Sequence, residues 1–315
     1  MRKTINSFEA TGYLKRNTLE KREDKNHNPI IVGDVIVAFP DGNELKVRYY
    51  QNRYKKNTTE VSQFYTELES LMAPNVNSME KIAASAGTTL TDEQLRALST
   101  VVTLYGSLQE NFYTKKDGTL SDTVQLRGLG GRVSRGTDLR NRFDVEIFLK
   151  EMKEKEDGTL ACVGLLPEYD GSVSQVDFVV LNPKVVDGFL NHYHINDTVR
   201  VIGEIQNQVE KVLIRQGREL IDGREDDVYS TKFSTSYVIT NGEPDSKSPE
   251  METALHLDDI RDALVKREEK MGRATAPKPQ AAQPAFTGFS FAGSDPFGAP
   301  TAGPSTAKSS TDLYF

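Results

Sequence analysis

Residues 122–150 read DTVQLRGLGGRVSRGTDLRNRFDVEIFLK, and this stretch sets the fold class. Val124, Leu126 and Leu129 carry an apolar rhythm broken by Gly128, Gly130 and Gly131. Glycines at that density let a strand coil sharply or bulge, which small closed barrels require. Val145, Ile147 and Leu149 then alternate with Glu146, Phe148 and Lys150, the period of two of a half-buried strand. Between the strands lies a basic loop with Arg132, Arg135, Arg140 and Arg142, and Phe143 at its edge. Arginines beside an exposed aromatic suit a nucleic-acid backbone and an unstacked base. The same cations would also suit a solvated hairpin edge, where they block pairing between sheets.

Upstream, residues 7–56 read as an open β-meander. FEATGYLKR is a first strand, residues 17–29 a charged hairpin loop, and IIVGDVIVAF (30–39) a second strand. Pro40, Asp41, Gly42 and Asn43 form a turn into ELKVRYYQNRY (44–54). In that third strand Leu45, Val47 and Tyr49 share one face, and Lys46, Arg48 and Tyr50 share the other. With Arg53 and Tyr54 they make a mixed basic and aromatic surface, a pattern that an ordinary amphipathic strand with cationic outer positions also shows. Residues 58–113 read as a helical insert. Thr58 or Thr59 caps a helix through Tyr65, Leu68 and Leu71 that stops before Pro74. Residues 88–112 read as a second helix, with a Thr91–Gln94 capping box and a stripe of Leu95, Leu98, Val102 and Tyr105.

Downstream, residues 159–240 return to strands, with the turn Asp170-Gly171 and a short helix over 183–193 that begins at Pro183. Three strands, a helix and two strands is the order of a five-stranded Greek-key barrel. It fits residues 124–240, and again 7–135 if the insert plugs the first barrel and 122–135 supplies its closing strands. Asp-Thr-Val-x-x-x-Gly also occurs twice, at 122–128 and 197–203. The fold class is therefore mainly β with a helical insert: one or two OB-like five-stranded barrels and a disordered C-terminal tail. The expected division is a first barrel over 1–121 with its insert at 58–113, and a second over 122–240. A linker and short helix at 241–272 and the tail at 273–315 complete it. The tail is rich in Ala, Pro, Gly, Ser and Thr, which cannot bury enough apolar surface to offset chain entropy. It is punctuated by Phe286, Phe289, Phe291 and Phe297 and closes on Asp312, Leu313, Tyr314 and Phe315, a peptide suited to a basic-rimmed pocket.

Composition narrows the function. The net charge of −7 conceals two basic islands, +5 over residues 1–56 and +2 over 122–150. Local patches set the field at a groove, so the total does not exclude nucleic acid. The lone Cys162 forms no internal disulfide and reads as a buried thiol in a reducing compartment. No apolar run approaches the roughly 18 residues of a membrane span, so a cytoplasmic place is expected. His27, His192, His194 and His256 show no zinc spacing, although His192-x-His194 is a candidate ligand pair. There is no GxxxxGK(S/T) phosphate loop and no nucleophile triad, so neither an enzyme nor a cofactor or metal is expected.

The run INDTVRVIGEI, the barrel strand order, the Gly/Pro/Ala-rich tail and the apolar-acidic final residues resemble bacterial and phage single-stranded DNA-binding proteins of the OB-fold class. The likeness covers roughly 7–56, 122–240 and 273–315. It implies a groove of Lys46, Arg48, Tyr50, Arg53, Tyr54, Arg132, Arg135, Arg140, Arg142 and Phe143 that holds single-stranded DNA. It further implies that Asp312, Leu313, Tyr314 and Phe315 recruit replication, recombination or repair proteins. The tip departs from the family pattern in having one acid, and no tryptophan is present to stack. These departures point to a phage or mobile-element type. The alternative is an OB-like protein-interaction or virion module that binds no nucleic acid.

Overall fold

The computed structural model describes residues 2–115, 119–215 and 228–275. The first half runs β1 (Asn6–Asn17), a short β2 (Glu20–Glu23), β3 (Pro29–Ala38) and β4 (Glu44–Asn52). Next come helices α1 (Gln63–Leu71), α2 (Met79–Ser85) and α3 (Asp92–Leu98), and then β5 (Val101–Thr114) and β6 (Leu120–Val133). The second half runs β7 (Arg140–Glu154), β8 (Leu160–Pro167), β9 (Val173–Val180), α4 (Pro183–His192), β10 (Thr198–Arg215), β11 (Val228–Gly242) and α5 (Leu257–Thr275). No helix among the described residues is long and apolar enough to cross a membrane.

Hydrogen bonding closes these strands into two rings. The first passes β1–β3–β4–β6–β5 and back to β1, with β4 and β6 parallel. The second passes β7–β8–β9–β11–β10 and back to β7, with β9 and β11 parallel. In each ring the helices lie between the third and fourth strands, the OB arrangement. Antiparallel pairing of β1 with β7, with Phe8 opposite Phe143, joins the rings into one eleven-stranded sheet. The mainly β class stands as expected, and of the one or two five-stranded barrels foreseen the strands form two.

Three expectations need correction. Residues 122–133 belong to β6 and close the first ring, so the second ring opens at β7 rather than at residue 122. The second helix of the insert ends at Leu98, and residues 101–114 form β5. Leu95, Leu98, Val102 and Tyr105 do fit a helical stripe, but Val102, Leu104, Leu108 and Glu110 are buried at a strand's alternation. The β-branched run Thr100 to Thr103 favours that extended state. The Asp-Thr-Val-x-x-x-Gly echo is not a structural repeat, since one copy lies in the fifth strand of its ring and the other in the fourth.

The true equivalents are Gly106 and Gly203, each at a bulge in the fourth strand of its ring. A Cβ at Gly106 would lie 1.9 Å from the Arg127 carbonyl oxygen, and one at Gly203 would lie 2.0 Å from that of Val238. Only glycine permits the fourth and fifth strands to approach so closely while the ring bends shut.

The first core packs Leu14, Val37, Leu45, Val47, Leu104 and Leu126 inside the ring, and α1 plugs it with Tyr65, Leu68 and Leu71. The second packs Phe143, Ile147, Leu160, Phe178 and Val201, with Val186 and Phe189 of α4. Cys162 is buried there, and burial pushes its thiol up to about 12, which keeps it protonated and unreactive. The Thr91–Gln94 capping box of α3 forms as expected, while α1 starts after Ser62.

Helix α5 covers the outer face of the second ring. Leu255, Ile260 and Ala263 pack on Phe148, Leu165 and Val173 of β7, β8 and β9. Lys270 then bonds Glu168 and Asp170, each at 2.8 Å, in the β8–β9 turn. Burial would raise the Asp170 carboxyl, but hydrogen bonds from Lys270 and Ser172 outweigh it and hold it at about 2, below the ordinary 3.8. Its hold on α5 is thus complete above about pH 4 and is lost as pH falls toward 2. Amide exchange in α5, relative to its intrinsic rate, is expected to accelerate across that window. Unchanged protection down to pH 2 would show that Asp170 does not secure the helix.

Candidate nucleic-acid interface

Strand β4 sorts its side chains by period two. Leu45, Val47 and Tyr49 enter the first core, which leaves Lys46, Arg48 and Tyr50 outside. Arg48 lies opposite Asp34 on β3 and Arg127 on β6. Asp34 is occupied by Lys46, at 2.8 Å from the ammonium. Arg127 donates through Nη1 to Oε1 of Gln109 on β5 at 2.8 Å. Among the described residues neither Arg48 nor Arg127 has a carboxylate partner. Both cations are therefore available to an incoming anion.

These side chains line a hollow of about 370 Å³ together with Tyr50, Gln109, Glu110, Asn111 and Gln125. Tyr50 is 49% exposed at the rim. Tyr49 supports the floor: it packs where Gly128 has no side chain and donates its hydroxyl to the Gly130 carbonyl at 3.1 Å. This accounts for Gly128, while Gly130 leaves room for the Tyr105 hydroxyl and the Glu67 carboxylate.

The other expected residues divide into separate groups. Arg53 and Tyr54 sit past the end of β4, the guanidinium 5.5 Å from the ring centre, and border a smaller hollow of about 240 Å³ with Lys55 and Lys56. Lys46 lies toward a groove of about 630 Å³ between the rings, which also receives Arg48, Tyr113 and Tyr237. Arg132, Arg140 and Arg142 share the outer face of β6, β5, β1 and β7, where Arg132 and Arg140 align with Thr103 and Thr11. Carboxylates already engage much of this second cluster. Arg140 meets Asp138 at 2.9 Å and Glu9 at 3.6 Å, and Arg142 lies 3.9 Å from Asp144. Arg135 is exposed in the β6–β7 turn.

Phe143 is a correction. It is 0% exposed and lies in the second core, with ring centres 5.6 Å from Phe178 and 6.2 Å from Tyr237. It cannot stack on a base. The alternation of residues 143–149 already places it on the same face as Val145 and Ile147. Asp312, Leu313, Tyr314 and Phe315 lie outside the described residues. The candidate pair His192-x-His194 is split by the end of α4, and His194 Nδ1 lies 3.6 Å from Asp197.

Arg127, Gln109, Asn111 and Gln125 were not legible as site residues from the sequence. With 101–112 taken as helix, Gln109 and Asn111 point in different directions, whereas in a strand they share a face. Arg127 sits between Leu126 and Gly128, and that alternation was the available signal.

Of the strands in ring two that correspond to the site, β9 presents Val173, Gln175, Asp177 and Val179 outward, without a cation among them, and α5 packs over Val173.

Residues 4–276 match the family described as YorF. No curated protein matches the chain. Among solved structures, the wild-type single-stranded DNA-binding protein of Thermus aquaticus shows 14% identity and a TM-score of 0.44, covering 79% of this chain and 97% of that one. A deletion variant of the same Thermus aquaticus protein shows 14% identity and a TM-score of 0.42, covering 77% of this chain and 95% of that one.

Proposed function

This chain belongs to the YorF family, and we propose that it is a sequence-tolerant single-stranded DNA-binding protein whose strand site is the outer face of β4, β6 and β5. The observation that carries the proposal is the pairing of Arg48 and Arg127, free of carboxylates, with the half-exposed ring of Tyr50 over one hollow. The two guanidiniums neutralise successive phosphates and release counterions. Tyr50 offers a flat face, and every base has a π-face, so stacking there does not read sequence. Gln109, Gln125 and Asn111 each carry both a donor and an acceptor and can satisfy whichever base edge arrives. A duplex would not serve, because its bases are already stacked and paired.

The test is anisotropy of labelled oligo-dT with the full chain at two salt concentrations. Saturable binding that weakens steeply with salt is expected. Each phosphate contact on a single strand contributes about 0.7 to the slope of log affinity against log salt. The Arg48→Ala/Arg127→Ala double variant should therefore flatten that slope by about 1.4. No saturable signal at low salt would favour a protein-interaction module instead.

The wider proposal is that the chain coats single strands in replication, recombination or repair in the cytoplasm, as a phage or mobile-element protein. It includes recruitment of other proteins by Asp312, Leu313, Tyr314 and Phe315. These parts rest on the sequence resemblance, and a pull-down with and without residues 308–315 tests the recruitment.

A further inference from the structure

Helix α5 does more than shield the second ring, because its last turns reach the wall of the strand site. Arg267 donates from Nε and Nη2 to the two oxygens of Glu110, at 2.7 and 2.6 Å. Glu110 belongs to β5, opposite Val124 of β6, and lines the hollow, yet its side chain is 2% exposed and that of Arg267 13%. The Arg267 guanidinium also lies 5.4 Å from the Phe112 ring centre. One turn further along, Lys270 Nζ sits 2.8 Å from Glu168 Oε2. That same oxygen accepts from Gln109 Nε2 at 3.1 Å, and Gln109 Oε1 accepts from Arg127 at 2.8 Å. An unbroken chain of charge and hydrogen bonds therefore runs from α5 through the β8–β9 turn to the Arg127 guanidinium.

Two consequences follow from elementary electrostatics. Glu110 and Glu168 are carboxylates in poorly hydrated positions beside a site that must receive phosphates. Left uncompensated, each would repel the strand with little screening, because shielding by water and salt is weak in a buried setting. In addition, Gln109 is anchored at its nitrogen only because Glu168 stays in place. Released, its amide could turn and leave Arg127 without the acceptor that aims it.

Resting on the strand-site reading above, we propose that α5 is a working part of that site. Arg267 and Lys270 are positioning residues that cancel Glu110 and Glu168 and hold Gln109 and Arg127 toward the strand. Docking of α5 and strand binding are therefore linked, and the linkage is reciprocal: each favours the other by the same factor. The second ring thus serves the first through its β8–β9 turn and its covering helix.

The experiment uses full-length variants and oligo-dT anisotropy at low salt, with folding checked by circular dichroism. Lys270→Gln should weaken binding about fivefold, chiefly through the uncompensated Glu168, since Asp170, the other carboxylate that Lys270 meets, is exposed and screened by water. Lys270→Arg should bind as the parent does. The decisive variant is Lys270→Gln/Glu168→Gln, which removes the stray charge while leaving an amide oxygen to accept from Gln109. It should return to within about twofold of the parent. A helix that acts only as a staple would leave that double variant as weak as Lys270→Gln, and this result, or a Lys270→Gln protein that binds normally, overturns the proposal. Tyr50→Ala in the same assay separates the two levels. If it too is silent, the strand site itself is misplaced; if it weakens binding while Lys270→Gln does not, only the role of α5 falls. Saturating oligo-dT should also slow amide exchange in α5, and unchanged exchange counts against the linkage.

Discussion

Tyr50→Ala is expected to weaken oligo-dT binding by about 1–3 kcal/mol, roughly 5- to 150-fold, and to do so for every sequence tested. The ring stands half exposed on the outer face of β4, so its removal opens no cavity. Thermal unfolding should accordingly stay close to that of the parent. Tyr50→Phe keeps the flat face and should retain most of the affinity, which separates stacking from a hydrogen bond through the hydroxyl. Arg48 and Arg127 contribute differently. Their loss should be felt mainly through the salt dependence, because a phosphate contact is an ion-exchange event whereas stacking is not. A Tyr50→Ala protein that binds oligo-dT as tightly as the parent would remove the aromatic half of the site.

Phe143→Ala is the second large effect, and it falls on stability. The ring is enclosed at the centre of the second core against Phe178 and Tyr237, and Gly203 approaches so closely that a Cβ there would lie 2.5 Å from it. Truncation of a fully buried phenylalanine costs about 3–5 kcal/mol through lost transfer energy and the cavity left behind. Denaturant titration should show that loss. The protein that remains folded should bind oligo-dT with the parent's salt slope. Reduced affinity at unchanged stability would place Phe143 on the strand after all.

These two residues mark how far the sequence could be read. Both were expected to face the nucleic acid, Tyr50 from the alternation of Lys46, Arg48 and Tyr50, and Phe143 from its nearness to arginines. The first inference used a period and survives as an exposed position. The second used proximity along the chain, and Val145, Ile147 and Leu149 had already placed Phe143 on the inner face. The helix drawn through residues 101–112 failed for a related reason. Leu98, Val102 and Tyr105 satisfy a helical stripe, while Val102, Leu104 and Leu108 satisfy a strand, and no local rule decides between them. Pairing with β1 on one side and β6 on the other decides it.

From the sequence alone came the mainly β class, the strand–helix–strand order of each barrel, the sorting of β4 and the two basic islands. All of these are local properties, set by side-chain periodicity and composition over a few residues. Only the tertiary structure decided which ring β6 closes, which arginines carboxylates already hold, and that α5 reaches Glu110, 157 residues away in sequence. Those outcomes depend on hydrogen bonds and charge pairs between segments far apart along the chain, and no window of sequence contains both partners.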